Sequence, residues 1–143
     1  MRPRALLVLL TVGALASACA RPPWNHATLY DDLGGEAGIA AIVDRLLVRM
    51  AADPEVAPFF AKTNMDRFER LLKEHLCALA DGPCQYTGDS MRDAHRGHGI
   101  TDASFTALAE DLELAMDDVH VPFNVQNRLL ARLAPLHGEI VER

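Results

Sequence analysis

The sequence holds no stretch in which apolar and polar residues alternate for long enough to make a strand, no internal repeat and no low-complexity segment. Those absences exclude a sheet-built domain and leave helices as the regular elements. Positive charge is also short. The 14 Lys and Arg face 20 Asp and Glu, and without Arg2 and Arg4 of the first 18 residues the net charge falls from −6 to −8. A surface of that sign repels a phosphate backbone, so no nucleic-acid partner is expected. Cysteine is scarce, at three residues, which rules out a framework of many disulfides. What the chain does have is apolar content: half of its 143 residues are hydrophobic, enough for one domain with one core.

The longest apolar run sits at the start, in "MRPRALLVLLTVGALASAC". Arg2 and Arg4 precede Leu6 to Leu15, and Ala16-Ser17-Ala18 form a small-residue cleavage site. This is the pattern of a secretory signal over residues 1–18, too short to span a bilayer. Cys19 follows directly, so the segment resembles a bacterial lipoprotein signal, in which that cysteine is lipidated; Ala16 departs from the leucine such signals prefer. Lipidation at Cys19 and plain cleavage after Ala18 both remain open, and both export the protein to the cell envelope, periplasmic or membrane-anchored. Residues 19–27, with Pro22-Pro23, read as a stiff tether, and 28–143 as the folded domain. An oxidising compartment permits Cys77 and Cys84 to pair, a link worth about 2–3 kcal/mol. Two free buried thiols are the alternative.

Apolar residues recur with helical period over four long segments. Ile39, Ile42, Val43, Leu46, Leu47 and Met50 predict a helix over 36–51, punctuated by Gly34-Gly35. Asp53 as N-cap and Pro54 as first helical residue predict one short helical turn that ends on Phe59-Phe60. Met65, Phe68, Leu72, Leu76 and Leu79 predict a helix over 64–80, and Ser90 to His98 a shorter one ended by Gly97 and Gly99. Thr101 caps a helix carrying Phe105, Leu108, Leu112, Met116 and Val119, and Pro122 opens a last one through Ile140. The expected fold class is all-α.

Two histidines stand three apart in "RDAHRGHGIT", residues 92 to 101. As a zinc pair they lack a third His or Cys nearby, and Gly97 and Gly99 break the helix that would align them. Covalent haem attachment through Cys-x-x-Cys-His does not suit the sequence either, because Cys77 and Cys84 are seven apart and no histidine comes directly after Cys84. A single imidazole on a short segment opposite an apolar slot suits a non-covalent haem. Phe59, Phe60, Phe68, Leu72, Met91, Phe105 and Met116 are of the right type to line it, although a helical core needs the same residues.

The ordered set "LYDDLGGEAGI", "ADPEVAPFF", "TNMDRF", "GPCQYTGDSM", "DAHRGHGIT" and "VPFNVQNRLLARLAPL" closely resembles the truncated haemoglobins, group I branch, over residues 29 to 141. The resemblance implies a two-over-two helical sandwich around haem b, with His95 as the proximal iron ligand. It implies haem contacts at Phe60 and Met91, and a distal side built from Leu47, Phe68 and Leu72. Leu47 stands where the family often has a tyrosine whose hydroxyl stabilises bound oxygen, and such a bond is worth about 1.5–3 kcal/mol. Its loss is expected to quicken oxygen dissociation. His75, three residues beyond Leu72, is the one polar candidate on that helical face, as pocket residue or sixth ligand. Lys62, Arg67, Arg70, Lys73, Arg92 and Arg96 are available to the propionates, and His98 reads as surface. Asp81, where relatives often have glycine, is expected to take a left-handed conformation.

The implied function is reversible binding of oxygen, nitric oxide or carbon monoxide by a monomeric envelope protein. The alternative is an enzyme, a nitric oxide dioxygenase or peroxidase-like protein. The chain has no flavin or nicotinamide motif, so turnover would need a separate reductase as electron donor. A haem-free helical lipoprotein is the bland third reading, against which His95 in its expected context argues.

Overall fold

The computed structural model describes residues 27–142, and the expected signal, Cys19 and nearly all of the tether lie outside them. The described chain begins with a helix that the periodicity did not reveal. Thr28 caps α1, Leu29–Asp32, through a reciprocal box: its Oγ1 accepts from Asp31 N–H at 3.1 Å, and its own N–H donates to Asp31 Oδ2 at 3.0 Å. Four residues are too few to show an apolar stripe. Gly34 and Gly35 then turn the chain at φ +92° and +67°, where a side chain is strained, and α2 runs from Gly35 to Ala52. Gly38, inside α2, allows the closest approach in the fold: a Cβ there would lie 1.9 Å from the carbonyl oxygen of Leu33.

After α2 the expected turn of helix starts later than Pro54. Asp53 does cap the turn, accepting from Glu55 N–H at 2.7 Å, but the 3₁₀ segment spans Ala57–Phe60. Ala57 N–H closes one turn onto Asp53 O at 2.8 Å, but Pro58 has no N–H to offer the carbonyl of Pro54, so the turn does not continue as an α-helix. Asn64 caps α3, Met65–Leu79, and Asp81 at φ +60° terminates it, with Gly82 N–H returning to Cys77 O at 2.9 Å. Asp81 thus takes the left-handed conformation expected of it. Cys77 and Cys84 form a disulfide, which closes the alternative of two free thiols.

Ser90 caps α4, Met91–His95, shorter than the expected Ser90 to His98 because Arg96 is extended and Gly97 and Gly99 have φ of +78° and +67°. Thr101 caps α5, Asp102–Asp118, as expected. The final helix is not continuous. Pro135 withholds the N–H that Ala131 needs, so α6, Phe123–Leu133, passes through a 3₁₀ turn at Ala134–Leu136 into α7, His137–Ile140.

The result is an all-α, two-over-two arrangement: α2 packs on α3 and, most extensively, on α5, while α6 packs on α5 and α3. Leu29, Ile42, Val43, Leu76, Met116 and Leu129 are fully buried where these helices meet. Each such large apolar side chain contributes about 1.5–3 kcal/mol by leaving water. Arg49 of α2 and Asp118 of α5 pair at 2.8 Å on the rim of the α2–α5 contact. The core therefore holds α3 and α5 in place on either side of α2, and α4 hangs between the end of α3 and the start of α5.

Candidate functional site

His95 is the last residue of α4, and its orientation follows from the backbone one turn earlier. Nδ1 lies 2.7 Å from the carbonyl oxygen of Met91. A carbonyl only accepts, so Nδ1 carries the proton and Nε2 keeps the lone pair. An imidazole fixed in this tautomer by a backbone carbonyl is the arrangement that presents one nitrogen to a metal. The following loop is held from afar: Gly97 N–H and Gly99 N–H both donate to the Glu142 carboxylate, and Glu142 N–H donates to Ile100 O at 3.0 Å. A cavity of about 380 Å³ opens beside His95, lined by Arg92, Arg96 and residues 138–142.

On α3, Phe68, Leu72 and His75 fall at helical spacing. Phe68 packs on Phe60, ring centroids 4.8 Å apart and tilted by 60°. Phe60, Phe68, Leu72 and Leu47 of α2 are all half-buried, packed on the edge of the core rather than inside it. Met91 and Phe105 are half-buried as well, and Phe105 meets His137 edge to face at 4.8 Å. Met116 differs: it has no exposed surface and belongs to the core itself, so it supports the site from behind. His98 is exposed.

His75 is the polar residue of the α3 face. Its Nε2 is buried without a hydrogen-bond partner, and its ring meets Tyr86 edge to face at 5.0 Å. Its pKa lies below the ordinary histidine value, chiefly because burial disfavours the cation and secondarily because His95 is close enough to repel it. Tyr86 and Glu142 are the contributors that sequence reasoning missed. Tyr86 lies in a quoted motif but carried no assigned role, and Glu142 stands 47 residues beyond His95 with no local pattern to betray it.

Of the cations expected at the rim, Arg70 pairs with Glu74, Lys73 with Glu69 and Asp44, and Arg96 with Asp93. Among the described residues Lys62, Arg67 and Arg92 have no carboxylate partner, and all three are exposed. One imidazole with a free lone pair, partly exposed apolar walls, an unpartnered buried nitrogen and uncommitted cations together fit a haem with two propionates.

The family model for bacterial-like globins matches residues 28–142. The group 1 truncated haemoglobin of Mycolicibacterium paratuberculosis is 36% identical over 114 residues, covering 80% of this chain and 84% of its own. That of a Nostoc species is 34% identical over 117 residues, covering 82% and 99%. Among solved structures, the truncated haemoglobin of Tetrahymena pyriformis in its Fe(III) form superposes with a TM-score of 0.79 at 28% identity, over 82% of this chain and all of that one. The 2/2 haemoglobin of a Synechococcus species, in the cyanomet state and with covalently attached haem, reaches a TM-score of 0.77 at 28% identity over the same shares. The chain belongs to the bacterial-like globin family and is a truncated haemoglobin in sequence and fold.

Proposed function

We propose that this protein binds diatomic gases reversibly at a b-type haem held non-covalently between α3 and α4, with His95 Nε2 as the protein's ligand to iron. The hydrogen bond from His95 Nδ1 to Met91 O, at 2.7 Å, is the observation that carries the reading. It fixes the tautomer, sets the ring plane and raises the donor strength of Nε2. When bound, haem would supply an iron able to take up a diatomic gas.

The chain's own residues do the rest. Phe60, Phe68 and Leu72 offer an apolar wall that keeps water from the open side, and Leu47 contributes no donor there. Met91 and Phe105 flank the ring from the His95 side. Lys62, Arg67 and Arg92 are free to meet the propionates by charge-assisted hydrogen bonds. Glu142 steadies the loop behind His95 by taking the Gly97 and Gly99 N–H groups. We place the protein in the cell envelope, exported by residues 1–18 and anchored there if Cys19 is lipidated. The Cys77–Cys84 disulfide supports that placement, since such bonds persist in oxidising compartments.

The test is an absorption spectrum of residues 20–143 reconstituted with haem, beside His95→Ala, in the ferric, ferrous and carbonyl states. The wild type is expected to take up one haem and show histidine-ligated bands that the variant loses. A wild type that takes up no haem stoichiometrically ends the gas-binding reading.

A further inference from the structure

Away from His95, α2 and α3 leave an open groove of about 760 Å³ between them. Asp66, Arg70, Lys73 and Cys77, three or four residues apart, make one face of α3 its wall, and Glu36 and Ile39 line it from α2. Cys84 lines it as well, so both halves of the Cys77–Cys84 bridge border one cavity. The two sulfurs are unlike. Cys84 is exposed, whereas Cys77 is 3% exposed and lies under Gly82, where a Cβ would fall 2.6 Å from the Cys77 sulfur and equally close to the Tyr30 ring. An incoming thiolate therefore has one open target, the Cys84 sulfur.

Charge in the groove selects among thiols. Its cations are committed, Arg70 to Glu74 and Lys73 to Glu69 and Asp44. Glu36 and Asp66 are exposed and have no cationic partner among the described residues. Two uncompensated carboxylates attract a thiol that carries a positive charge and repel one that carries a negative charge. Arg70 and Glu74 also hold the loop beyond the bridge, through Thr87 Oγ1 at 3.2 and 2.7 Å, so a thiol entering here meets the side chains that seat that loop.

We propose that the Cys77–Cys84 bridge is a thiol-exchange site for small aminothiols, which modify Cys84 from the groove. The aminothiol's thiolate attacks the Cys84 sulfur and forms a new S–S bond. The Cys77–Cys84 bond breaks, and its electron pair leaves on Cys77, which takes a proton from water. The products are a mixed disulfide at Cys84 and a thiol at Cys77. A second aminothiol attacks the small-molecule sulfur of the mixed disulfide, leaving Cys84 as a thiol and departing as a small disulfide. Two aminothiols thus lose the two electrons that the bridge gains. Burial disfavours the Cys77 thiolate that would have to expel the aminothiol, so the singly modified form persists. The site works with or without haem and goes beyond the gas-binding reading.

The experiment uses residues 20–143 as purified, where Cys77 and Cys84 are the only cysteines, under argon at low ionic strength. The probes are 2-aminoethanethiol, 2-mercaptoethanol and 3-mercaptopropionate, which are cationic, neutral and anionic. Free thiols are alkylated after denaturation, and the mixed disulfide is located by peptide mass. It is expected at Cys84, with Cys77 alkylated. The ratio of the aminothiol rate to the mercaptopropionate rate is expected to fall roughly three- to tenfold in the Glu36→Gln, Asp66→Asn double variant, and likewise in wild type at high salt. Each reagent's own reactivity cancels in that comparison, and the salt series decides alone should the double variant not fold. A ratio that neither change moves overturns the proposal, as does a mixed disulfide at Cys77 or none at all. So does exchange at one common rate that rises with urea, for then the bridge opens only when the whole domain unfolds.

Discussion

Breaking the Cys77–Cys84 bond tests how far this small domain depends on a covalent staple. The two cysteines are seven residues apart, and the loop between them turns the end of α3 toward α4. On the chain-entropy account, closing a loop of that length removes about 8 cal/mol/K from the unfolded chain, or about 2.4 kcal/mol at 25 °C. For a domain of this size an unfolding entropy of about 0.24 kcal/mol/K converts that loss into a melting temperature lower by about 10 °C. Cys84 is exposed, so a small thiol reductant can reach the bond, while Cys77 is 3% exposed and its sulfur stays in the core when reduced. The assay is paired thermal and urea unfolding of the oxidised protein, the reduced protein and the Cys77→Ala, Cys84→Ala double variant. Because the bond spans the segment that leads to His95, haem is also expected to leave the reduced protein faster, read by transfer to an excess of apo-acceptor. Melting temperatures that agree within about 2 °C would falsify the entropic argument and show that α3, its turn and Tyr30, whose N–H donates to Ala80 O at 2.8 Å, hold the loop without the bond.

Further outcomes follow from single residues. Gly38→Ala is expected to cost about 3 kcal/mol, because the new methyl carbon falls 1.9 Å from a backbone oxygen that no side chain can move aside; an unchanged urea midpoint would show that α1 shifts freely. Asp111 is 8% exposed, and its carboxyl pKa is raised, first by burial and then by the charge of Asp53. A carboxyl whose folded pKa lies above its unfolded one weakens the fold as pH rises from the ordinary value of 3.8 through the raised one, and the loss is complete at neutral pH. Asp111→Asn is therefore expected to be more stable at pH 7 by about 1 kcal/mol, with the advantage gone below the ordinary carboxyl pKa. Urea midpoints at pH 7 and pH 3 check it, and an equal gain at both would assign the effect to packing instead.

The long helices were legible because each carries several turns of one apolar stripe, and a cap of the Asn64 or Thr101 type marks its start. The expected boundaries failed where proline acted on a neighbour's hydrogen bond rather than on its own position. Pro58 kept the turn after α2 from continuing as α-helix, and Pro135 split the last helix, each by withholding an N–H from a carbonyl four residues back. α1 escaped notice for want of length. At the candidate site, His95 was singled out through the family resemblance, but its hydrogen bond to Met91 O was not legible, since a backbone carbonyl has no letter in the sequence. Gly38 was equally silent: its reason is the oxygen of Leu33, a contact across two elements. The pairing of Cys77 with Cys84 stayed open because spacing allows a bridge without requiring one.

The Glu142 contact has a practical side for anyone handling this protein. Two amide hydrogens just past His95 end on a carboxylate from the other end of the described chain, so residues 95 and 142 form the two ends of a mechanical linkage. Whatever is fused beyond residue 142, an affinity tag or a fluorescent reporter, pulls on that linkage and hence on the segment that carries His95. Spectra and ligand kinetics taken on a C-terminally fused protein therefore report the fusion as well as the globin, whereas a fusion ahead of Thr28 enters at the capping box of α1 and leaves the linkage slack.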